Sequence, residues 1–172
     1  MKLFIPNMYI EKYNKLNIDR LLDLSIKTII CDIDNTLVSH DEEIPNEEVI
    51  EFVAQLKKYF NVILVSNNTN SRVSLFASKL DVKYYSFALK PFKYTYKKIL
   101  RDCNCNINEI AVIGDQILTD IIGGNRMKFY TILSTQLVVK DLKWTKVNRV
   151  LENLVFIYLE KRKLFVRGKY YE

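Results

Sequence analysis

The stretch KTIICDIDNTL, residues 27–37, decides the fold. Its first half carries the apolar run Ile29-Ile30-Cys31, the pattern of a strand buried on both faces in a parallel sheet. Its second half holds two carboxylates, Asp32 and Asp34, two positions apart. An ionised carboxylate is costly to bury without partners. Both acids therefore belong where the strand leaves the core, and a spacing of two sets them on one side of an extended chain.

Similar runs follow. NVILVS (61–66), EIAVIGD (109–115) and FYTILS (129–134) read as strands, and VKYYSF (82–87) as a shorter, weaker one. Helical spacing fills the gaps. Asn46 to Tyr59 places Val49, Ile50, Val53 and Leu56 on one stripe, with Pro45 at its entrance. Arg72 to Leu80 does the same with Val73, Phe76, Ala77 and Leu80. Pro91 opens a third helix, with Phe92, Tyr96, Ile99 and Leu100 on its face, and Trp144 to Leu159 makes a last one. Strands alternating with helices predict an α/β fold, a parallel sheet with helices on both faces. Ligands in such sheets gather beyond the carboxyl ends of the strands.

The 172 residues suit one domain over 1–172, and 49% apolar against 27% charged residues is a globular balance. No apolar run reaches the ~18 residues that cross a bilayer. The first residues lack the pattern of a secretion signal, and three cysteines do not make a disulfide framework. A reduced cytoplasmic protein is expected. The net charge of +6 is uneven: from Arg126 onward 11 Lys and Arg face 4 Asp and Glu, so the basic excess lies in the last 47 residues. Such an excess is either a solvated face or an attractor for an acidic surface.

Parallel strands bring several groups to one end. Asp32 and Asp34 end one strand, Ser66-Asn67-Asn68 the next, and Asp115 a third, with Asp120 five residues on. Lys90 follows the weak strand. Carboxylates this close repel one another unless a cation joins them. Oxygen ligands select a hard ion, and Mg²⁺ suits a few carboxylates that leave room for a phosphate. Ser66 and Lys90 could hold phosphate oxygens. One carboxylate could attack phosphorus and the other handle the proton. Read singly, several of these residues have plainer roles. Asp115 or Thr119 could cap a helix, Lys90 could be a turn lysine, and Asp120 a helix-terminal charge.

DIDNT resembles the D-x-D-x-T signature of the haloacid dehalogenase-like (HAD) phosphatases. Ser66, Lys90 and GDQILTD fall where that superfamily carries its later motifs. DIDNTL, VSNN, KP, GDQILTDIIGGNR and TKVNRVLE further resemble the YqeG family of subclass IIIA, related to the phosphatidylglycerophosphate phosphatases of mitochondria and plastids. The resemblance implies a Rossmann-like HAD fold, with Asp32 as nucleophile and Asp34 as general acid and base. It implies Mg²⁺ held by the Asp32 and Asp115 carboxylates and the Asp34 carbonyl, with Asp120 supporting from behind. Ser66 and Asn67 would bind the phosphoryl group, and Lys90 would balance its charge. Gly123 and Gly124 read as the end of a helix, and Asn125 and Arg126 have no evident task.

Many HAD enzymes insert a cap domain. Only 31 residues separate Thr36 from Asn68, and 21 separate Asn68 from Lys90, so no cap fits. An open site suits a phosphate attached to something large, and docking or self-association would then have to exclude water. Phosphatidylglycerophosphate is the favoured substrate, with contact to a membrane through the basic segment at about 160–172. Soluble sugar or nucleotide phosphates are the alternative. A regulatory or nucleic-acid-binding protein on the same fold is a third reading, disfavoured by the clustered acids, and no nucleic-acid partner is expected. His40 reads as a surface residue and Cys103-x-Cys105 as incidental. The aromatic, cationic C-terminus reads as a helix with a frayed tail, or as a membrane-facing segment.

Overall fold

Strand β2, Thr28–Cys31, is buried at all four positions and stands in the middle of a six-stranded sheet. In the computed structural model the backbone is described for residues 2–137 and 143–171, and the side chains for these except 143–149. Five further strands complete the sheet: β1 (Met8–Ile10), β3 (Asn61–Val65), β4 (Lys83–Tyr85), β5 (Ile110–Gly114) and β6 (Tyr130–Ser134). All pairs are parallel and the order is β1-β6-β5-β2-β3-β4. From β2 the chain steps outward to β3 and β4, then returns to β5 on the other side of β2. The reversal lies between β2 and β5, where such sheets open a crevice at the carboxyl ends of their strands.

The two faces divide by strict alternation. Cys31, Leu64 and Ile113 point to one face, where they pack with Val49, Val53, Leu56, Val73 and Phe76. Those come from α2 (Glu47–Lys57) and α3 (Asn70–Leu80), beside the short α1 (Ile18–Asp23). Ile30, Ile63 and Val112 point the other way, against Tyr96 and Ile99 of α4 (Lys93–Cys103) and Met127 of α5 (Ile122–Met127). Asn46 starts α2 by accepting a hydrogen bond from the Val49 N–H, and Asp81 ends α3 in the left-handed conformation.

Several sequence expectations shift in detail. On α2 it is Phe52, not Ile50, that completes the buried stripe; Ile50 is 42% exposed. Phe92 stands before α4 as its N-cap and is exposed. Gly123 and Gly124 begin α5 instead of ending a helix. A Cβ on Gly124 would sit 2.6 Å from Thr131 Cγ2, so the glycine lets α5 lie against β6. Asn125 hydrogen-bonds the carbonyls of Lys2, Leu3 and Ile5, and Arg126 that of Pro91. Both tie chain segments together.

The last helix, α6, spans Lys143–Lys161. The side chains of TKVNR within TKVNRVLE, residues 145–149, lie outside the described residues. Beyond α6 the tail is not frayed. Tyr171 pairs antiparallel with Tyr9 of β1 through bonds of 2.8 and 2.9 Å, and Phe165 is buried 4.9 Å from the Tyr9 ring. The tail covers the free edge of the sheet, which would otherwise expose unpaired backbone groups. No helix among the described residues is long and apolar enough to cross a membrane.

Candidate active site

Asp32 extends β2 by one residue, its N–H donating to the Ile113 carbonyl at 3.0 Å. This carries it to the β2/β5 switch point, opposite the end of β5 and Asp115. The two strands end on the same buried level, so these carboxylates and that of Asp120 approach closely. One oxygen from each lies within 4.8 Å of the others, and all three residues are buried. Asp120 reaches in from a π-helical turn, Ile117–Ile121, whose N-cap is Gln116. Thr119 caps nothing there; its hydroxyl donates to Asp120 Oδ2 at 3.1 Å.

Lys90 supplies the cation. Its Nζ donates to Asp32 Oδ1 at 2.5 Å, Asp120 Oδ1 at 2.7 Å and the Val65 carbonyl at 3.1 Å. Thr36 donates to Asp32 Oδ2 at 2.8 Å and lies 3.4 Å from Asp115 Oδ1. Burial pushes the Asp32 carboxyl up to about 7, against the pull of Lys90, with the Asp120 and Asp34 charges acting in the same direction as burial. Burial opposes the Lys90 charge as well, but Asp120 and Asp32 outweigh it and hold the ammonium well above the ordinary lysine range. Three buried carboxylates thus cluster beside one ammonium. Hard oxygen donors gathered this closely fit a divalent cation.

Asp34 occupies a different neighbourhood, one-fifth exposed at the mouth of the crevice. Arg72 grips its Oδ1 through Nε at 3.1 Å and Nη2 at 2.7 Å, and His40 Nδ1 lies 3.4 Å from the same oxygen. Ser66 and Asn68 donate to Oδ2 at 3.3 and 3.4 Å. Three donor groups and the His40 ring thus surround one carboxylate. Asn67 turns away from this group. Its Oδ1 accepts from the Lys90 N–H at 2.7 Å and its amide donates to the Lys90 carbonyl at 3.3 Å. Asn67 therefore positions the Lys90 backbone, while Ala88, which accepts from Thr95, anchors the same loop.

The convergence expected from four strand ends is present, with two additions. His40 is not a free surface residue, because the flap after β2 folds it back over Asp34. Arg72 had one signal in the sequence. It sits in the first turn of α3, where the helix dipole disfavours a cation unless an acid answers it. Asp34 is that acid.

Comparison with known proteins places the chain. The family model described as "Mitochondrial PGP phosphatase" matches residues 1–139. The "Probable phosphatase YqeG" of Bacillus subtilis is 32% identical over 162 residues, covering 94% of each chain. Among solved structures, a predicted HAD-like family hydrolase from Porphyromonas gingivalis superposes with a TM-score of 0.55 at 12% identity, covering 74% of this chain and 98% of the other. The cobalt-bound deoxy-D-mannose-octulosonate 8-phosphate phosphatase of Haemophilus influenzae gives 0.53 at 14% identity, over 64% and 69%. At those identities the structures establish the shared fold, and the family model and the Bacillus relative establish kinship. Both matches span β2 to β6 and every acid of the crevice, and the chain belongs to the YqeG-type HAD phosphatases, a family related to the mitochondrial PGP phosphatases.

Proposed function

We propose that this phosphatase is a Mg²⁺-dependent phosphomonoesterase working through an aspartyl-phosphate on Asp32, with phosphatidylglycerophosphate as its substrate. The observation that carries the reading is the buried set of Asp32, Asp115 and Asp120, whose carboxylate oxygens lie within 4.8 Å of one another, with Lys90 bound to two of them. A substrate phosphate is itself an anion and enters such a site only beside a cation.

Asp32 and Asp115 would hold the ion through carboxylate oxygens, with the Asp34 backbone carbonyl as a further ligand and Asp120 supporting them. Bound there, Mg²⁺ supplies a Lewis acid for the phosphoryl oxygens. Asp32 has one oxygen fixed by Lys90 and the other by Thr36, so its carboxylate is oriented before substrate arrives. It attacks phosphorus and forms the acyl phosphate as the ester oxygen leaves. Asp34 gives a proton to that oxygen, then takes one from the water that hydrolyses the acyl phosphate. Ser66 and Lys90 donate to phosphoryl oxygens. Asn67 contributes by clamping the Lys90 backbone.

The lipid substrate rests on three supports: the family model, the uncapped crevice and the C-terminal helix. Along α6, Val150, Leu151, Leu154, Ile157 and Tyr158 are exposed, and Lys161, Arg162 and Lys163 follow directly. An apolar stripe ending in cations suits an anionic membrane surface. The deciding experiment is a screen of phosphate esters, with phosphatidylglycerophosphate in mixed micelles beside soluble sugar and nucleotide phosphates, in Mg²⁺ and after chelation. Phosphate release from the lipid that needs Mg²⁺ and vanishes in Asp32→Asn is expected. Brisk release from soluble esters alone would remove the lipid assignment, and turnover surviving Asp32→Asn would remove the nucleophile.

A further inference from the structure

Beside the acidic crevice lies a cavity of about 320 Å³, between the flap that follows β2 and the first turn of α3. Glu43, Thr69, Ser71, Arg72 and Leu75 line it. Its location follows from Arg72, which is both a wall of the cavity and the residue that grips Asp34. We infer that this cavity is the subsite for the leaving alcohol of the phosphate ester, and that it accepts a small polyol. The inference rests on the proposed role of Asp34 as proton donor, because the oxygen that Asp34 protonates must begin the chain entering the cavity.

The lining selects the ligand class. Thr69 and Ser71 present two hydroxyls 3.3 Å apart, Arg72 presents donors, and Glu43 presents a carboxylate. A surface with both donors and acceptors matches alcohol groups, which also do both. A second anionic group is disfavoured there, since Asp34 already answers Arg72 and Glu43 repels. Among the described residues no aromatic ring lines the cavity to stack a nucleobase, and Leu75 is their one apolar side chain there, too little wall for an acyl chain. The volume equals that of about ten liquid waters, enough for a polyol of about three to six carbons. For a glycerophospholipid, the glycerol next to the scissile phosphate would occupy it and the lipid would lie outside.

The test compares glycerol 3-phosphate and sorbitol 6-phosphate with methyl phosphate, whose leaving group is too short to fill the cavity. All three release an aliphatic primary alcohol, so differences in kcat/KM report binding of the remote part. The wild-type protein in Mg²⁺ should favour a polyol ester at least tenfold. Ser71→Phe fills the space and should reduce that preference at least tenfold. Thr69→Val should reduce it less, and it costs no helix cap because the Thr69 side chain makes no capping bond. An unchanged preference in both variants, or none in the wild type, would overturn the subsite. Calorimetric titration of glycerol 3-phosphate and of inorganic phosphate into Asp32→Asn protein reads the subsite without turnover. There the ester should bind more tightly than phosphate, and Ser71→Phe should erase the difference. Equal binding of ester and phosphate overturns the subsite even if hydrolysis proceeds. Tighter ester binding with turnover surviving Asp32→Asn upholds the subsite and sinks the proposed nucleophile instead.

Discussion

Replacing Gly114 with alanine tests how the crevice is assembled, because this glycine touches no substrate and yet determines where Asp120 stands. A Cβ at Gly114 would fall 2.3 Å from Asp120 Cγ and 2.5 Å from both its Cβ and Oδ2. Carbon atoms rest at about 3.5–4.0 Å, so the Asp120 side chain must retreat by roughly 1 Å. It has little room, being 1% exposed and bound to Lys90, the Gln116 N–H and Thr119. Overpacking of this kind costs about 1–3 kcal/mol. The 2.7 Å bond to Lys90 is lost with the retreat, adding about 1.5–3 kcal/mol for a charged hydrogen bond. Gly114→Ala should therefore destabilise the metal-free protein by about 4 kcal/mol, a fall in Tm of roughly 8–16 °C at this chain length. Turnover should drop about a hundredfold as Lys90 loses its register on Asp32.

Urea unfolding in a mutant cycle separates this cause from a general intolerance of strand β5. In an Asp120→Gly background the three nearest atoms to the added methyl are gone, so Gly114→Ala should cost under about 1 kcal/mol, a coupling of about 3 kcal/mol. Equal costs in both backgrounds would refute the steric account, whatever the absolute stability of the single variant.

Lys90→Met removes the cation between Asp32 and Asp120, and breaking a buried pair costs about 3–5 kcal/mol; urea unfolding in chelator checks it, and near-wild-type stability would contradict a stabilising role for these two ion pairs. Mg²⁺ at about a hundred times its dissociation constant should stabilise the wild-type protein by about 2.7 kcal/mol, seen by calorimetry, and Asp115→Asn should abolish most of that gain. Phe165→Ala should cost about 3 kcal/mol by undocking the tail from Tyr9, with no change in the chemistry of a soluble ester. Leu154→Asp, at a position 59% exposed, should leave the fold intact and reduce sedimentation with anionic vesicles several-fold; undiminished binding would place the membrane contact elsewhere.

What could be read from the sequence follows from where each signal resides. Strands β2, β3, β5 and β6 carry their burial in their own residues, because a strand covered on both faces must be apolar throughout. The acids at their ends could then be placed together by topology alone. Strand β1 carries no such signal. Its three residues are buried by partners far along the chain, β6 on one side and Tyr171 on the other. Ile50 and Phe52 show a smaller limit of the same kind: both lie near the apolar stripe, and the Tyr13 ring, 4.9 Å from Phe52, helps decide which is covered.

The site divides along the same line. Asp32, Asp115, Ser66 and Lys90 stand on or beside strand ends, so their convergence is a property of the sheet. Arg72 and His40 reach Asp34 only because the flap and the start of α3 fold toward each other over it. Neither contact follows from periodicity. Yet these contacts set the environment of the residue proposed to move the proton, while the strand-end groups set that of the proposed nucleophile. On the proposed mechanism the sheet fixes the chemistry common to the fold, and the loops above it would fix which alcohol can leave. Substitutions in the flap or the first turn of α3 should then change preference among esters, whereas those at strand ends should reduce turnover of all esters together. A flap variant that depressed every ester equally, including methyl phosphate, would show that this division of labour does not hold.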